Sequence, residues 1–539
     1  MEKDHLESLC KKIIQKLSVD ADKGVFPARS FYGETFFALS LALYDKNKYE
    51  KIIIKMLDAY QQKDIEDSTF HWEFNNYALS KLVKIDKKYE RYLHRPLRFR
   101  NCQVTNWTLM RGVVKAENGE ADDEFRKKLC EMQKTNGFIK DDYDVSSFQY
   151  HAFSTAMIYE MYLLTKDVFY LNSFLKAVEF ISKFTLENGI SLYVGRGQEQ
   201  IFGYGTLLYI YEMAYRETGR IEFKNAQKKA FSHIEETVRE NNKFTLVVNL
   251  CEEESERNLD INDKRHLGWY QYNNYYDYLP FLLYYLILTF KSFQENAVDT
   301  TEKKIKVYCD DKYFRYIGDK YDCALACEKG SWTNALIFPL IISEGKTITP
   351  CYGGEQFDCV LYDVTGIPVP YGKSKNSPYR SMKELIKSVY NLLTKQSKVF
   401  SLWDYGEYFF SYDHKILKIE NESEFLIHIR SMSFEENEIV VEETFEFKHK
   451  CYFDEFYFVN LHFLEICEIK EKQIYGIGYG NSIVFNEPLC NLEVNSRYNS
   501  AIGTLYTITD KKQNLRIRKN EVIKYNYKVI MDKRYERNN

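Results

Sequence analysis

The chain has 539 residues, 45% of them hydrophobic and 28% charged, with a formal net charge of −4. That length exceeds one ordinary hydrophobic core, so two or more domains are expected. The charge balance argues against a general nucleic-acid binder, and no apolar run reaches the length of a membrane-spanning helix.

The N-terminal stretch "MEKDHLESLCKKIIQKLSVDADKG" reads as an amphipathic helix without the apolar core and small-residue site of a signal peptide, so a cytoplasmic location is expected. Helical periodicity continues to about residue 292, with inner and outer helices in alternation. Six inner helices share a polar and aromatic entry followed by apolar or small residues: "SFYGETFFALSLALY" from Ser30, "HWEFNNYALSKLV" from His71, "NWTLMRGVV" from Asn106, "FQYHAFSTAMIYEMYLL" from Phe148, "QIFGYGTLLYIYEMAY" from Gln200 and "WYQYNNYYDYLPFLLYYLIL" from Trp269. Apolar residues all round such a helix imply burial on every side. The helices between them, such as "FYLNSFLKAVEFISKFTLEN", keep one polar face. Six stacked pairs predict a ring whose polar helix starts gather at one end, beside a β domain that closes over them. After a linker at 293–304, short alternating runs such as "EFLIHIRSMSF" and "EIVVEETFEFKHK" predict antiparallel strands from 305 to 539, with one inserted helix at "SMKELIKSVYNLLTKQ". The 12 cysteines have no paired zinc spacing; they read as free thiols of a reducing compartment, and no metal or cofactor is expected. Forty-five Tyr and 37 Phe suit an aromatic core and also flat ligands such as sugars.

This order, an (α/α) toroid followed by an antiparallel β-sandwich, resembles the polysaccharide lyases of the heparinase II/III, alginate and hyaluronate/chondroitin types. The resemblance implies an acidic poly- or oligosaccharide substrate cleaved by β-elimination: removal of the C5 proton of a uronic acid and loss of the oxygen at C4. That chemistry needs a group to neutralise the carboxylate and a base and an acid drawn from Tyr and His.

"TNWTLM" resembles the lyase pairing of an Asn that neutralises the uronate with a stacking Trp, which assigns Asn106 and Trp107. In "NGFIKDDYDVSSFQYHAFSTA", Asn136 stands where the family has Asp. Asp142 stands where its His is expected, and Tyr150 and His151 where its Tyr is expected. Tyr150 and His151 are therefore the acid–base candidates. In "HWEFNNYALSKL" the Asn pair before an aromatic resembles a carboxylate-binding motif, and Asn76 is assigned to binding. "GRGQEQIFGYG" offers Arg196 as a carboxylate clamp, Gln198, Glu199 and Gln200 for hydroxyls, and Tyr204 as acid or base. Its glycines lack the strand context and following Lys-Ser/Thr of a phosphate loop. Trp269, Tyr272 and Asn273 form a stacking wall. Asn106, Tyr150, His151, Arg196 and Tyr204 are expected to line one cavity. Three alternatives stay open: a glycoside hydrolase using Asp141 or Asp142 with Glu199, a uronyl epimerase, and a non-catalytic carbohydrate-binding protein.

Overall fold

The inner helices of the first half are buried on every side. All residues from Phe148 to Met161 are buried in one of them and all from Ile201 to Ala214 in another. The computed structural model that displays this describes residues 2–21, 25–120, 123–235, 238–239, 243–244, 246, 274–295, 305–328, 335–351, 368–374, 398–401, 407–423, 426–464, 468–470, 473–477, 481–486, 492–500 and 503–531. Contacts divide the chain into two units, Met1–Asn258 with Trp269–Thr300 and Leu259–Gly268 with Thr301–Asn539. The helix expected at 381–396 lies outside the described residues.

The first unit holds, among the described residues, ten α-helices: α1 (Lys3–Asp20), α2 (Gly33–Gln61), α3 (Trp72–Ile85), α4 (Thr105–Glu117), α5 (Asp123–Met132), α6 (Phe148–Thr165), α7 (Val168–Lys183), α8 (Ile201–Thr218), α9 (Ile221–Glu235) and α10 (Tyr275–Ser292). Asp45 leaves helical geometry and splits α2 into two arms, the inner and outer helices expected there. Helix α2 packs on α3, α3 on α4, α4 on α6, α6 on α8, α8 on α10, and α10 returns to α2. The ring is closed. Helices α5, α7, α9 and α1 pack outside α4, α6, α8 and α10, whereas α3 is backed by a short 3-10 helix, Lys87–Tyr92.

The outer helices bury one stripe. In α7 these are Tyr170, Ser173, Phe174, Ala177, Val178, Phe180 and Ile181, the helical period. Closure rests on Asp277, whose carboxylate accepts the N–H groups of Phe31 (2.9 Å), Tyr32 (2.8 Å) and Gly33 (2.8 Å) at the start of α2. These are N–H groups that a helix leaves without partners. Gly33 is required here, because a Cβ would fall 1.6 Å from the Tyr276 carbonyl oxygen. Within the ring, Lys81 of α3 pairs with Glu117 of α4 (3.1 Å) and Glu160 of α6 (2.6 Å).

The second unit is built of antiparallel sheets. One has eight strands in the order Tyr408–Asp413, Ile416–Glu422, Leu426–Phe434, Glu438–Phe447, Val522–Ile530, Asn481–Phe485, Gln473–Ile477, Glu468–Lys470. A five-stranded sheet centred on Cys451–Phe463 packs against it. Phe445 of the first sheet meets Phe456 and Phe458 of the second at 5.8 and 5.5 Å. A further five-stranded sheet runs from Lys306 to Thr347. Burial alternates along Leu426–Phe434, the period-two pattern of a half-buried strand. Cys323 and Cys327 are buried free thiols on one strand of the third sheet.

Candidate active site

All six inner helices begin around one cavity of about 120 Å³. Tyr32 precedes α2, His71 precedes α3, Asn106 and Trp107 lie in the first turn of α4, and Tyr150 lies in that of α6. Arg196 reaches in from the loop before α8, and Asn274 and Tyr278 come from the start of α10. Phe74, Phe153, Phe202 and Phe281 complete the wall.

Asn106 is 3% exposed, and its amide oxygen has no hydrogen-bond partner. It is not a cap, since Val104 holds that position. A buried amide oxygen left unpaired is costly, and it belongs to a residue that faces the cavity. Tyr150 is held by Ser147, whose hydroxyl caps α6 through the Tyr150 N–H (3.2 Å). The Arg196 guanidinium lies 4.9 Å from the centre of the Tyr150 ring and pairs with Asp141 at 3.3 Å. Asp141 is 1% exposed, one of its carboxylate oxygens has no partner, and burial pushes its carboxyl up to about 6 against the pull of Arg196. His71 sits among Phe31, Trp107 and Tyr32, with ring centres 4.5, 5.0 and 5.7 Å away. Its Nδ1 is buried and unpaired. Burial, and then the nearby Arg100, Lys63 and Arg29, push its imidazole down to about 4. It is therefore neutral at pH 7 and able to accept a proton.

Several expected site residues lie elsewhere. His151 is fully buried with its back to the cavity. Its Nδ1 accepts the Ile139 N–H (3.0 Å), its Nε2 donates to the Ala177 carbonyl (3.1 Å), and its ring lies between Phe138 and Phe180. Neighbours on a helix point about 100° apart, so Tyr150 facing inward sends His151 outward. Tyr204 and Glu199 form a buried cluster behind the loop. The Glu199 carboxylate accepts from the Tyr204 hydroxyl (2.8 Å) and the Leu192 N–H (3.0 Å), and lies 2.9 Å from His233 Nε2. Gln198 and Gln200 are buried and do not line the cavity. Asn76 is buried too, its amide donating to the Arg98 carbonyl (2.6 Å), so it fixes a loop. Trp269, Tyr272 and Asn273 lie outside the described residues. Asp141, not Asp142, pairs with Arg196. His71, Tyr32 and Tyr278 line the cavity without having been among the expected site residues, although the shared position of the inner-helix starts was the signal that could have found them.

A closed ring of helical hairpins joined in one chain to an antiparallel β-sandwich is the fold of the toroid-type polysaccharide lyases. One solved structure that carries this likeness is the chondroitin AC lyase of Streptomyces coelicolor A3 in complex with chondroitin sulphate. It matches 98% of this chain and 79% of that one with a TM-score of 0.52 at 9% identity, a likeness of fold. Heparan sulfate lyase HepC from Pedobacter heparinus matches 94% of this chain and 78% of its own, with a TM-score of 0.44 and 9% identity. A glycosyl hydrolase family 88 protein from Bacteroides vulgatus matches 54% of this chain and 99% of its own, with a TM-score of 0.39 and 12% identity. No family model and no curated protein matches the sequence.

Proposed function

We propose that this protein is a lyase that cleaves a uronic-acid-containing glycan by β-elimination. The observation that carries the proposal is the meeting of Asn106, His71, Tyr150 and Arg196, from four different inner-helix starts, beside Trp107 in one cavity. Trp107 stacks on a sugar face. Asn106 donates its amide hydrogens to the uronate carboxylate and withdraws its charge, so that negative charge developing at C5 is tolerated. Neutral His71 takes the C5 proton. The electron pair of the C5–H bond becomes the C4=C5 double bond, the C4–O bond breaks, and the departing oxygen takes the phenolic proton of Tyr150. Arg196, over the Tyr150 ring, stabilises the negative charge left on that phenol.

Hydrolysis needs two carboxyl groups across the scissile bond. Among the described residues no carboxylate lines the cavity, and Glu199 faces the outer ring. This favours elimination. Incubation with a panel of uronate polymers and oligosaccharides should release an unsaturated sugar that absorbs in the ultraviolet. Absence of that product from every member refutes the proposal, and solvent deuterium uptake without cleavage would indicate an epimerase.

A further inference from the structure

The segment between the 3-10 helix and α4 carries exposed Arg95, Arg98 and Arg100. Buried charges fix its backbone. Glu73, fully buried, accepts the N–H groups of Arg100 (3.1 Å) and Asn101 (3.0 Å). Arg111, 1% exposed, pairs with Glu73 (3.1 Å) and donates to the Cys102 carbonyl (3.2 Å). A buried ion pair adds little net stability against an apolar replacement; what this one does is set the path of residues 100–102. The Arg100 guanidinium is thereby brought 5.3 Å from the Trp107 ring. On the other side of His71, Arg29 lies 4.6 Å over Phe31, whose ring is 4.5 Å from the imidazole. Arg29 is 71% exposed and makes one long, exposed ion pair, to Asp67 at 3.7 Å, of the kind that adds little. Arg100 forms no ion pair with a described carboxylate, whereas Lys63 is already engaged by Glu34 and the Ser30 carbonyl.

Arg196, tied to Asp141, stands with Asn106 at the reacting sugar. Arg100, beside the Trp107 platform, and Arg29, across His71 from it, are a second, separate pair of cations. We infer that Arg100 and Arg29 form a second anion-binding subsite, which takes a carboxylate or sulfate on the sugar next to the reacting uronate. The inference rests on the lyase reading for which sugar reacts. It adds that the ligand bears an acidic group on successive residues.

The test is calorimetric binding of tetrasaccharide probes to the full chain. Oligogalacturonate, oligomannuronate, chondroitin sulfate and heparin fragments carry acid on successive sugars; a hyaluronan fragment carries it on alternate sugars. The parent is compared with the Arg29→Gln/Arg100→Gln double variant and with Arg126→Gln, an exposed arginine on α5. At least one probe of the first group should bind the parent and lose about tenfold or more in affinity in the double variant, as expected for charge-assisted bonds. Its dependence on salt should fall as well. Arg126→Gln should bind as the parent does. Failure of the parent to bind any such probe, unchanged affinity in the double variant, or an equal loss for hyaluronan overturns the inference. The ultraviolet assay, run in parallel, separates the two claims. Product formation with unchanged binding in the double variant keeps the lyase reading and removes the subsite. Loss of binding without product from any polymer does the reverse.

Discussion

Asp141 gives the sharpest link between stability and the site. It is 1% exposed, and among the described residues one carboxylate oxygen has no partner and its only ion pair is to Arg196 at 3.3 Å. Burial outweighs that pair and lifts the carboxyl from 3.8 to about 6. At ~1.4 kcal/mol for each tenfold change in proton affinity, the folded protein carries ~3 kcal/mol of strain at pH 7 from keeping this group charged. The sign follows from linkage. Between pH 3.8 and about 6 the folded state holds a proton that the unfolded state has lost, so stability falls as pH rises through that window. Asp141→Asn removes the charge and keeps the shape. The variant should melt together with the parent near pH 4 and several degrees above it at pH 7, with the gap opening across the window. Arg196 loses its anchor at the same time, so kcat/KM on a uronate substrate should fall by about ten- to hundredfold. A stabilised but weakened enzyme is the expected trade. Paired thermal melts across pH, with kinetics at neutral pH, decide it. A variant that melts below the parent at pH 7, or a gap indifferent to pH, refutes the account of Asp141.

Tyr150→Phe should abolish product formation with an unchanged melting temperature, whereas His151→Ala should lower the melting temperature while folded protein keeps its turnover; the reverse pattern would return His151 to the chemistry. His71 must be neutral to take a proton, so kcat/KM should fall as pH drops through about 4, measurable by brief assays at low pH, and His71→Ala should remove turnover altogether. Glu199→Gln disturbs a buried carboxylate that accepts from Tyr204 and Leu192, and should cost about 1–3 kcal/mol by denaturant unfolding and lower kcat through Arg196 without touching substrate. A full melting curve and full activity in that variant would remove Glu199 from any supporting role.

The ring was legible because its signal is repeated. Each inner helix is apolar all round, and six copies leave few ways to bury them. First-turn positions then place Asn106, Trp107 and Tyr150 at one end. What the pattern does not contain is the rotation of each helix about its own axis. That angle is set by packing against both neighbours, and it decides between adjacent residues: Tyr150 inward and His151 outward. A helix buried on every side shows no polar stripe from which the angle might be read. His71 was hidden for a different reason. It stands one residue before α3, where a polar side chain reads as a cap, and in the structure it makes no cap at all.

The segment "GRGQEQIFGYG" shows how one loop serves two faces. Gly195 has φ +75°, and a Cβ there would fall 1.7 Å from the Ser146 carbonyl oxygen, so only glycine lets the loop lie against the strand-like approach to α6. That contact, with the Ser147 hydroxyl donating to the Arg196 carbonyl (2.6 Å), fixes the backbone from which Arg196 enters the cavity. Three residues on, Glu199 adopts φ +54° and turns its carboxylate the opposite way, into Tyr204 and His233. A side chain that reaches the ligand and a side chain that anchors the loop must leave the backbone in opposite directions within a few residues. Left-handed backbone at Gly195, Gly197 and Glu199 is how a short loop manages that reversal. The polarity of the stretch is thus divided between one residue for the ligand and the rest for the scaffold, which is why its sequence looks richer in binding groups than its cavity is.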